Sequence, residues 1–312
     1  MVFFLPDGYL VLNPMKNPSN CTPPMGRVEI RTLLKEFGFR PSKRYGQNFL
    51  LDPNLHRCLV EWSEATPDHR LLEVGCGMGH LTCRLAEVGG HLIVSEIDDR
   101  LAELTQRYVP ESERVRYVIG DCLSSKHQIA CGLEKALRES PGPGPSRLVA
   151  NLPYAVAGPL LVLLLHGDFG FDRVVVTLQK EMAERIAASP GSRAYGGLSA
   201  IIQSVAAPRI LTHVDRRAFW PVPRVDSSVL QLEVREAALF SVPYEPLSRV
   251  VKSLFSHRRK VLVRAIRFEL LPDASREEAE EWLKSLGIDP LVRPECLAPQ
   301  DFMEIARALH AP

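Results

Sequence analysis

Leu71-Leu72-Glu73-Val74-Gly75-Cys76-Gly77-Met78-Gly79-His80-Leu81-Thr82 decides the fold. The apolar run ahead of three glycines reads as a buried strand entering a tight turn, and the residues from His80 onward open a helix. Glycine is required where the backbone takes positive φ or a ligand comes close. A strand, glycine turn and helix in this order holds a nucleotide-like cofactor over the strand end. The spacing is Gly-x-Gly-x-Gly, one residue short of the dinucleotide fingerprint. Glu73 precedes the turn, where it would repel a pyrophosphate. A cofactor with a cationic centre and a ribose suits this turn better, which points to S-adenosylmethionine.

Downstream, strands and helices alternate. Leu92–Glu96 reads as a second strand ending in a carboxylate about 20 positions beyond the first glycine, where it can accept both ribose hydroxyls. Val115–Gly120 is a third strand, and the Asp121 after it is placed to hydrogen-bond an adenine amino group. Leu148–Ala150 forms a fourth strand and Phe171–Leu178 a fifth. Arg209–Val214 and Ser227–Val234 form a final pair. Helices are expected over Arg27–Phe37, from Asp52-Pro53 through Trp62, within Ser124–Arg147, over Lys180–Ala188 and up to about Ser204. Such alternation predicts a mostly parallel, doubly wound α/β sheet. Strand signals stop near Ala238, and three or four helices follow. The expected division is an irregular extension over 1–24, a cofactor-binding domain over 25–238 and a small helical domain over 239–312. The Pro-rich segment 1–24 reads as an addition ahead of a natural start at Met25.

Composition narrows the class. The 312 residues carry 38 Lys and Arg against 37 Asp and Glu, so any nucleic-acid surface must come from local clustering. The seven cysteines are scattered and never C-x-x-C, which argues against a disulfide framework or zinc site and for a reducing compartment. The nine histidines form no H-E-x-x-H or paired arrangement. Val2-Phe3-Phe4-Leu5 is broken by Pro6-Asp7-Gly8 and reads as neither signal peptide nor membrane span. A cytoplasmic monomer without membrane attachment is expected.

Asn151-Leu152-Pro153-Tyr154, after the fourth strand, carries the chemistry. An exocyclic amine on a nucleobase is a poor nucleophile because its lone pair is delocalised into the ring. The Asn151 oxygen and a nearby backbone carbonyl can accept its two N–H bonds, favouring a pyramidal nitrogen and attack on a sulfonium methyl. Tyr154 offers an aromatic face for the base and Phe219 a second. Read alone, Asn-x-Pro-Tyr is equally a strand-end turn with a core tyrosine.

Seven runs then match one family in order. They are Gly46-Gln47-Asn48-Phe49-Leu50, Glu73 through Thr82, Asn151–Tyr154, Gln179-Lys180-Glu181 with Arg185, Ala194–Ser199, Phe219 through Ser227, and Arg258-Arg259-Lys260. From Arg27 to Leu309 the chain resembles the adenine-N6,N6 dimethyltransferases of small-subunit ribosomal RNA. The resemblance implies a Rossmann-like S-adenosylmethionine-dependent methyltransferase with a small C-terminal all-α domain. It implies methylation of two adjacent adenines in a hairpin loop near the RNA's 3′ end, within the assembling small subunit. By motif matching, Asn48, Leu50, Glu73, Gly75, Gly77, Glu96, Asp121 and Asn151 form the cofactor set, and Asn151 also faces the target amine. Departures are small: Tyr45 stands where members often carry Leu or Phe, and Ala155-Val156-Ala157-Gly158 replaces a more usual Ile-Ser-containing run.

For RNA, His257, Lys260, Arg264 and Arg267 recur at helical spacing and are expected on one face of a continuous helix, beside Arg258 and Arg259. Val261, Leu262, Ala265 and Ile266 are expected on a packing face. Lys43 and Arg44, a solvated pair if read alone, are counted with the RNA-binding residues. Two other classes stay open: a large-subunit RNA adenine methyltransferase giving antibiotic resistance, and a non-catalytic RNA-binding assembly factor. Tyr195-Gly196-Gly197-Leu198-Ser199 and Val225-Asp226-Ser227 favour the small-subunit group, and intact Glu73, Glu96, Asp121 and Asn151 favour an enzyme.

Overall fold

The computed structural model describes residues 3–4, 10–11, 27–42, 46–140, 142, 144–235 and 242–310. Its main sheet has seven strands: β1 (Arg70–Val74), β2 (His91–Glu96), β3 (Val115–Ile119), β4 (Ser146–Asn151), β5 (Phe171–Gln179), β6 (Ala206–Val214) and β7 (Ser227–Val234). Their spatial order is β6-β7-β5-β4-β1-β2-β3. The strands from β1 to β5 pair in parallel, and β7 lies antiparallel between β5 and β6.

The central strands are largely apolar runs because both faces of the sheet are covered there. Side chains alternate between two cores, as a period of two demands. Leu72, Val74, Ile93, Leu148, Ala150, Val174 and Val176 face one core. Leu71, Leu92, Val94, Val149 and Val175 face the other, with Leu55 and Leu59 of α2 (Pro53–Ser63) and Leu81 and Leu85 of α3 (His80–Val88). The Asp52 Oδ1 caps α2 as expected, accepting from Asn54 N at 2.9 Å and Leu55 N at 3.3 Å. A third cluster joins Ile30 and Leu34 of α1 (Arg27–Glu36) to Phe49, Met78, and Leu101 and Leu104 of α4 (Asp99–Gln106). α1 thereby closes over the glycine-turn end of the sheet.

After α5 (Cys131–Glu139) comes α6 (Tyr154–His166), for which the sequence reading assigns no helix. Its residues YAVAGPLLVLLLH are apolar all round, so no amphipathic period marks it. It is buried through Ala157, Leu160, Leu161 and Leu164 instead. α7 (Lys180–Ile186) and α8 (Gly197–Val205) follow. Four C-terminal helices, α9 (Tyr244–Ser256), α10 (Leu262–Glu269), α11 (Arg276–Ser285) and α12 (Pro299–His310), then complete the chain. Their apolar faces join the first core without interruption: Leu254, Leu262, Ile266, Leu283 and Phe302 belong to the same cluster as Leu148 and Val176.

The continuous basic helix expected over 256–267 is corrected. α9 ends at Ser256, and α10 begins only at Leu262. The first amides of α10 are satisfied by the chain near 290, with Leu262 N donating to Val292 O at 2.7 Å and Val263 N to Pro290 O at 3.0 Å. That docking replaces a preceding helical turn, so His257, Lys260, Arg264 and Arg267 do not share one helix face. The packing face is also adjusted: Leu262, Ala265 and Ile266 are buried as expected, joined by Val263, whereas Val261 is exposed.

Within 1–24 the structure describes only Phe3–Phe4 and Leu10–Val11, paired antiparallel. The remainder of that expected irregular extension, and Lys43 and Arg44, lie outside the described residues. Cys58, Cys76, Cys122, Cys131 and Cys296 are free, and Cys83 is disulfide-bonded. Among the described residues no helix is long and apolar enough to cross a membrane.

Candidate cofactor and adenine site

The parallel strands deliver their carboxyl ends to one edge, where a crevice opens beside the glycine turn. Gly75 takes φ 82° and Gly77 φ 57°, which side chains other than glycine rarely adopt. Space is tight there too. A Cβ on Gly75 would lie 3.2 Å from the Pro153 ring, and one on Gly77 3.0 Å from the Phe49 ring. The turn is thereby pressed between the loop before α2 and the turn after β4.

Glu96, at the end of β2, ties this arrangement together. Its Oε2 accepts from Gly77 N at 3.0 Å and its Oε1 from Asp98 N at 3.1 Å. Burial raises its pKa, and the two backbone N–H donors oppose that rise by favouring the carboxylate. The Cys76 thiol lies 3.6 Å from the same Oε2, which leaves Oε1 the freer oxygen to receive a ligand hydroxyl.

Asn151 ends β4 and faces the same crevice. Its Nδ2 donates to the Asn48 carbonyl at 3.0 Å, and the Asn48 amide donates to Gly46 O at 3.0 Å. A carbonyl can only accept, so this contact fixes the Asn151 amide with Oδ1 left as an acceptor. Tyr154, the first residue of α6, is half-buried, and its hydroxyl lies 2.7 Å from Ser227 Oγ. That bond anchors the ring at the crevice wall.

The sequence-derived set is sorted by the structure into three places. Asn48, Gly75, Gly77, Glu96, Asn151 and Tyr154 line one cavity. Asp121 lines an adjoining cavity of about 330 Å³ that shares Gly75, Glu96 and Pro153 with the first, a volume within the small-molecule range. Asp121 is exposed, and its Oδ1 accepts from Leu123 N at 3.0 Å. Leu50 and Glu73 sit lower, in a small cavity beneath the glycine turn. Phe219 is placed differently from its expected stacking role. It is fully buried among Leu50, Leu55 and Val229, and its strand Phe219–Trp220 pairs with Phe49–Leu50, so its ring braces the loop carrying Asn48.

Residues that the sequence reading passed over also line the crevice: Gln47, Ile97 and Leu101 on one side, Cys122 and Val156 on the other. Ile97 and Cys122 each directly follow an acidic residue at a strand end, a positional signal available in the sequence. The cavity under the turn adds His56 and His80, whose rings stack at 5.5 Å with planes 3° apart. Their proximity comes from packing α2 against α3. Burial, then His80 and Arg84, lowers the His56 pKa to about 3. Burial raises that of Glu73 to about 8, with Thr82 opposing and Glu96 adding to the rise. His56 Nδ1 and Glu73 Oε2 have no protein hydrogen-bond partner.

The basic residues beyond Ser256 divide as well. His257 Nε2 lies 2.7 Å from Glu269 Oε1, and Arg258 Nε donates to Glu295 Oε2 at 2.8 Å. Arg259, Lys260, Arg264 and Arg267 are exposed.

A turn cleared of side chains, a carboxylate at the end of β2 and another after β3 suit an adenosine with a small chain reaching toward Asn151. The residues therefore fit S-adenosylmethionine.

Comparison with known proteins agrees with this geometry. Residues 38–310 match the family described as ribosomal RNA adenine dimethylase. The "Ribosomal RNA small subunit methyltransferase A" of Thermobifida fusca is 38% identical over 284 residues, covering 89% of this chain and 94% of that relative. The protein of the same name from Pelotomaculum thermopropionicum is 36% identical, with the same coverage of each chain. Among solved structures, a dimethyladenosine transferase from Plasmodium falciparum superposes with TM-score 0.66 at 22% identity, covering 81% of this chain and 94% of that one. The 23S rRNA methyltransferase ErmE superposes with TM-score 0.59 at 23% identity, covering 84% and 100%. Those two likenesses concern the fold, whereas the match along the sequence concerns descent. The chain belongs to the ribosomal RNA adenine dimethylase family.

Proposed function

We propose that this protein transfers methyl groups from S-adenosylmethionine to N6 of two adjacent adenines in a hairpin loop near the 3′ end of small-subunit ribosomal RNA, dimethylating each. The observation that carries the reading is Asn151, whose amide is oriented by the Asn48 carbonyl within the cavity that Glu96 and Tyr154 also line. The small-subunit assignment draws on the name shared by the relatives.

S-adenosylmethionine supplies a methyl group on a sulfonium. Glu96 and Asp121 hold its adenosine, and the Gly75–Gly77 turn gives it room. Asn151 Oδ1 accepts an N–H of the target amine and holds the nitrogen in line for attack, while Tyr154 stacks on the base. Asn151 is no base, so the proton of the methylated nitrogen would leave to water. The catalytic effect comes from positioning and desolvation.

Residues 25–238 serve as the catalytic domain and 239–312 as the helical RNA-binding domain, although their apolar cores are shared. Arg259, Lys260, Arg264 and Arg267 supply phosphate contacts, with His257 and Arg258 held by acidic neighbours. The protein works in the cytoplasm as a monomer on the assembling small subunit. The test is methyl incorporation into unmethylated small subunits, with the modified nucleotides mapped. Dimethyladenine at adjacent positions near the 3′ end is expected. Incorporation only into large-subunit RNA, or none with cofactor bound, would overturn the reading.

A further inference from the structure

Phe268 is the only exposed phenylalanine, tyrosine or tryptophan among the described residues, with 69% of its surface open to solvent. α10 packs through Leu262, Val263, Ala265 and Ile266. Phe268 falls on the opposite side, one turn beyond Arg264. A lone exposed apolar residue is ordinary. This one has unusual company. Lys260 Nζ lies 5.4 Å from its ring centroid, and the His257 ring meets it edge-on at 5.0 Å. His257 is itself held by Glu269, so the local acidic group is already engaged. Arg259, Lys260, Arg264 and Arg267, all exposed, lie within nine residues of it along the chain.

An open aromatic face among cations matches one ligand chemistry closely. A nucleobase stacks on the ring while its flanking phosphates meet the cations. In a duplex the base faces are covered, so the ligand must be unpaired. We propose that Phe268 is a stacking platform for an unpaired base of the RNA substrate, at a site separate from the Asn151 crevice. Lys260 and Arg264 hold the adjoining phosphates. The inference rests on the proposed action on ribosomal RNA and adds a second point where a base is bound.

The test uses the full chain, a single-stranded oligoribonucleotide of mixed sequence, its duplex, and unmethylated small subunits. Phe268→Ala should weaken single-strand binding roughly 5- to 150-fold, leave duplex binding unchanged and leave the salt dependence unchanged. Phe268→Trp should restore binding, and a 2-aminopurine in the single strand should lose its fluorescence quenching only in the Ala variant. As a control, Lys260→Ala with Arg264→Ala and Arg267→Ala should weaken both RNAs and flatten the salt dependence. If that triple variant loses RNA while Phe268→Ala binds like wild type, the platform is refuted and the proposed function stands. Failure of the wild-type protein to bind any of these RNAs would overturn both. Equal loss on single strand and duplex, or no rescue by Trp, would assign the ring to structure or to a protein partner instead.

Discussion

The crevice at the strand ends and the basic surface beyond Ser256 use polar groups in opposite ways. In the crevice, Asn48, Glu96 and Asn151 are fixed by hydrogen bonds of 3.0–3.1 Å to named partners. Around α10, Arg259, Lys260 and Arg264 stand in water, Arg267 donates to the Ala274 carbonyl at 2.9 Å, and His257 and Arg258 are tied to acids. Fixed groups in a desolvated site act strongly and at short range. Solvated charges act weakly one by one and are screened by salt. The crevice is therefore suited to chemistry and the basic surface to holding a polyanion.

The contrast makes Asn151→Ala the most damaging change. Methyl transfer should fall about 10²- to 10³-fold, the scale of losing one preorganised polar group. RNA affinity should be nearly unchanged, and binding assays beside single-turnover kinetics would check both. An equal loss in binding and rate would erase the distinction between the regions.

Next in size is Glu96→Ala, expected to weaken S-adenosylmethionine binding by about 1–3 kcal/mol in calorimetry. Unchanged affinity in a folded variant would leave Glu96 with the turn alone. Tyr154→Ala should cost about 1–3 kcal/mol of base stacking, whereas Tyr154→Phe keeps the ring and loses only the Ser227 contact. Methylation by Tyr154→Ala at the wild-type rate would make the tyrosine a wall residue. On the basic side, removing Lys260, Arg264 and Arg267 together should reduce the slope of log K against log salt by about 2. Cofactor affinity should not move.

Stability across pH separates the buried ionisable groups from the exposed ones. Glu73 has its pKa raised from 4.5 to about 8, so in that interval the native state holds a proton that the unfolded state has released. Its contribution to stability is full below pH 4.5 and declines as pH rises toward 8. His56 has its pKa lowered from 6.5 to about 3, so the unfolded state takes up a proton that the native state refuses. That contribution is full above pH 6.5 and declines as pH falls toward 3. Each group alone gives a slope of at most about 1.4 kcal/mol per pH unit. Thermal melts across pH should show Glu73→Gln flattening the alkaline side and His56→Leu the acid side. Profiles identical to wild type would show that neither group titrates as placed.

Most of the sheet is legible in the sequence because parallel strands buried on both faces are short, continuous apolar runs. Leu92–Glu96 and Phe171–Leu178 need only that pattern and a turn to be found. α6 escapes for a related reason: a helix buried on every side loses the periodicity that marks amphipathic helices. The basic run misleads in the opposite way. Its spacing is helical, yet backbone acceptors at Pro290 and Val292, distant in sequence, start a new helix at Leu262.

For the site, residue type and position at a strand end identify Gly75, Glu96, Asp121 and Asn151, because the chemistry of each is local to its own turn. Which of them meet is tertiary. The contact between Asn151 Nδ2 and Asn48 O spans 103 positions, and no local pattern encodes it. Phe219 shows the same limit, since its aromatic character is plain in the sequence. Whether its ring meets a base or the core depends on the pairing of Phe219–Trp220 with Phe49–Leu50. The alternation of strands and helices, the glycine turn and the acidic strand ends are written locally in the chain, because they follow from backbone sterics and burial within a few residues. The orientation of the Asn151 amide, the stacking of His56 on His80 and the exposure of Phe268 arise from long-range packing. Each depends on which distant surfaces remain after the cores have packed.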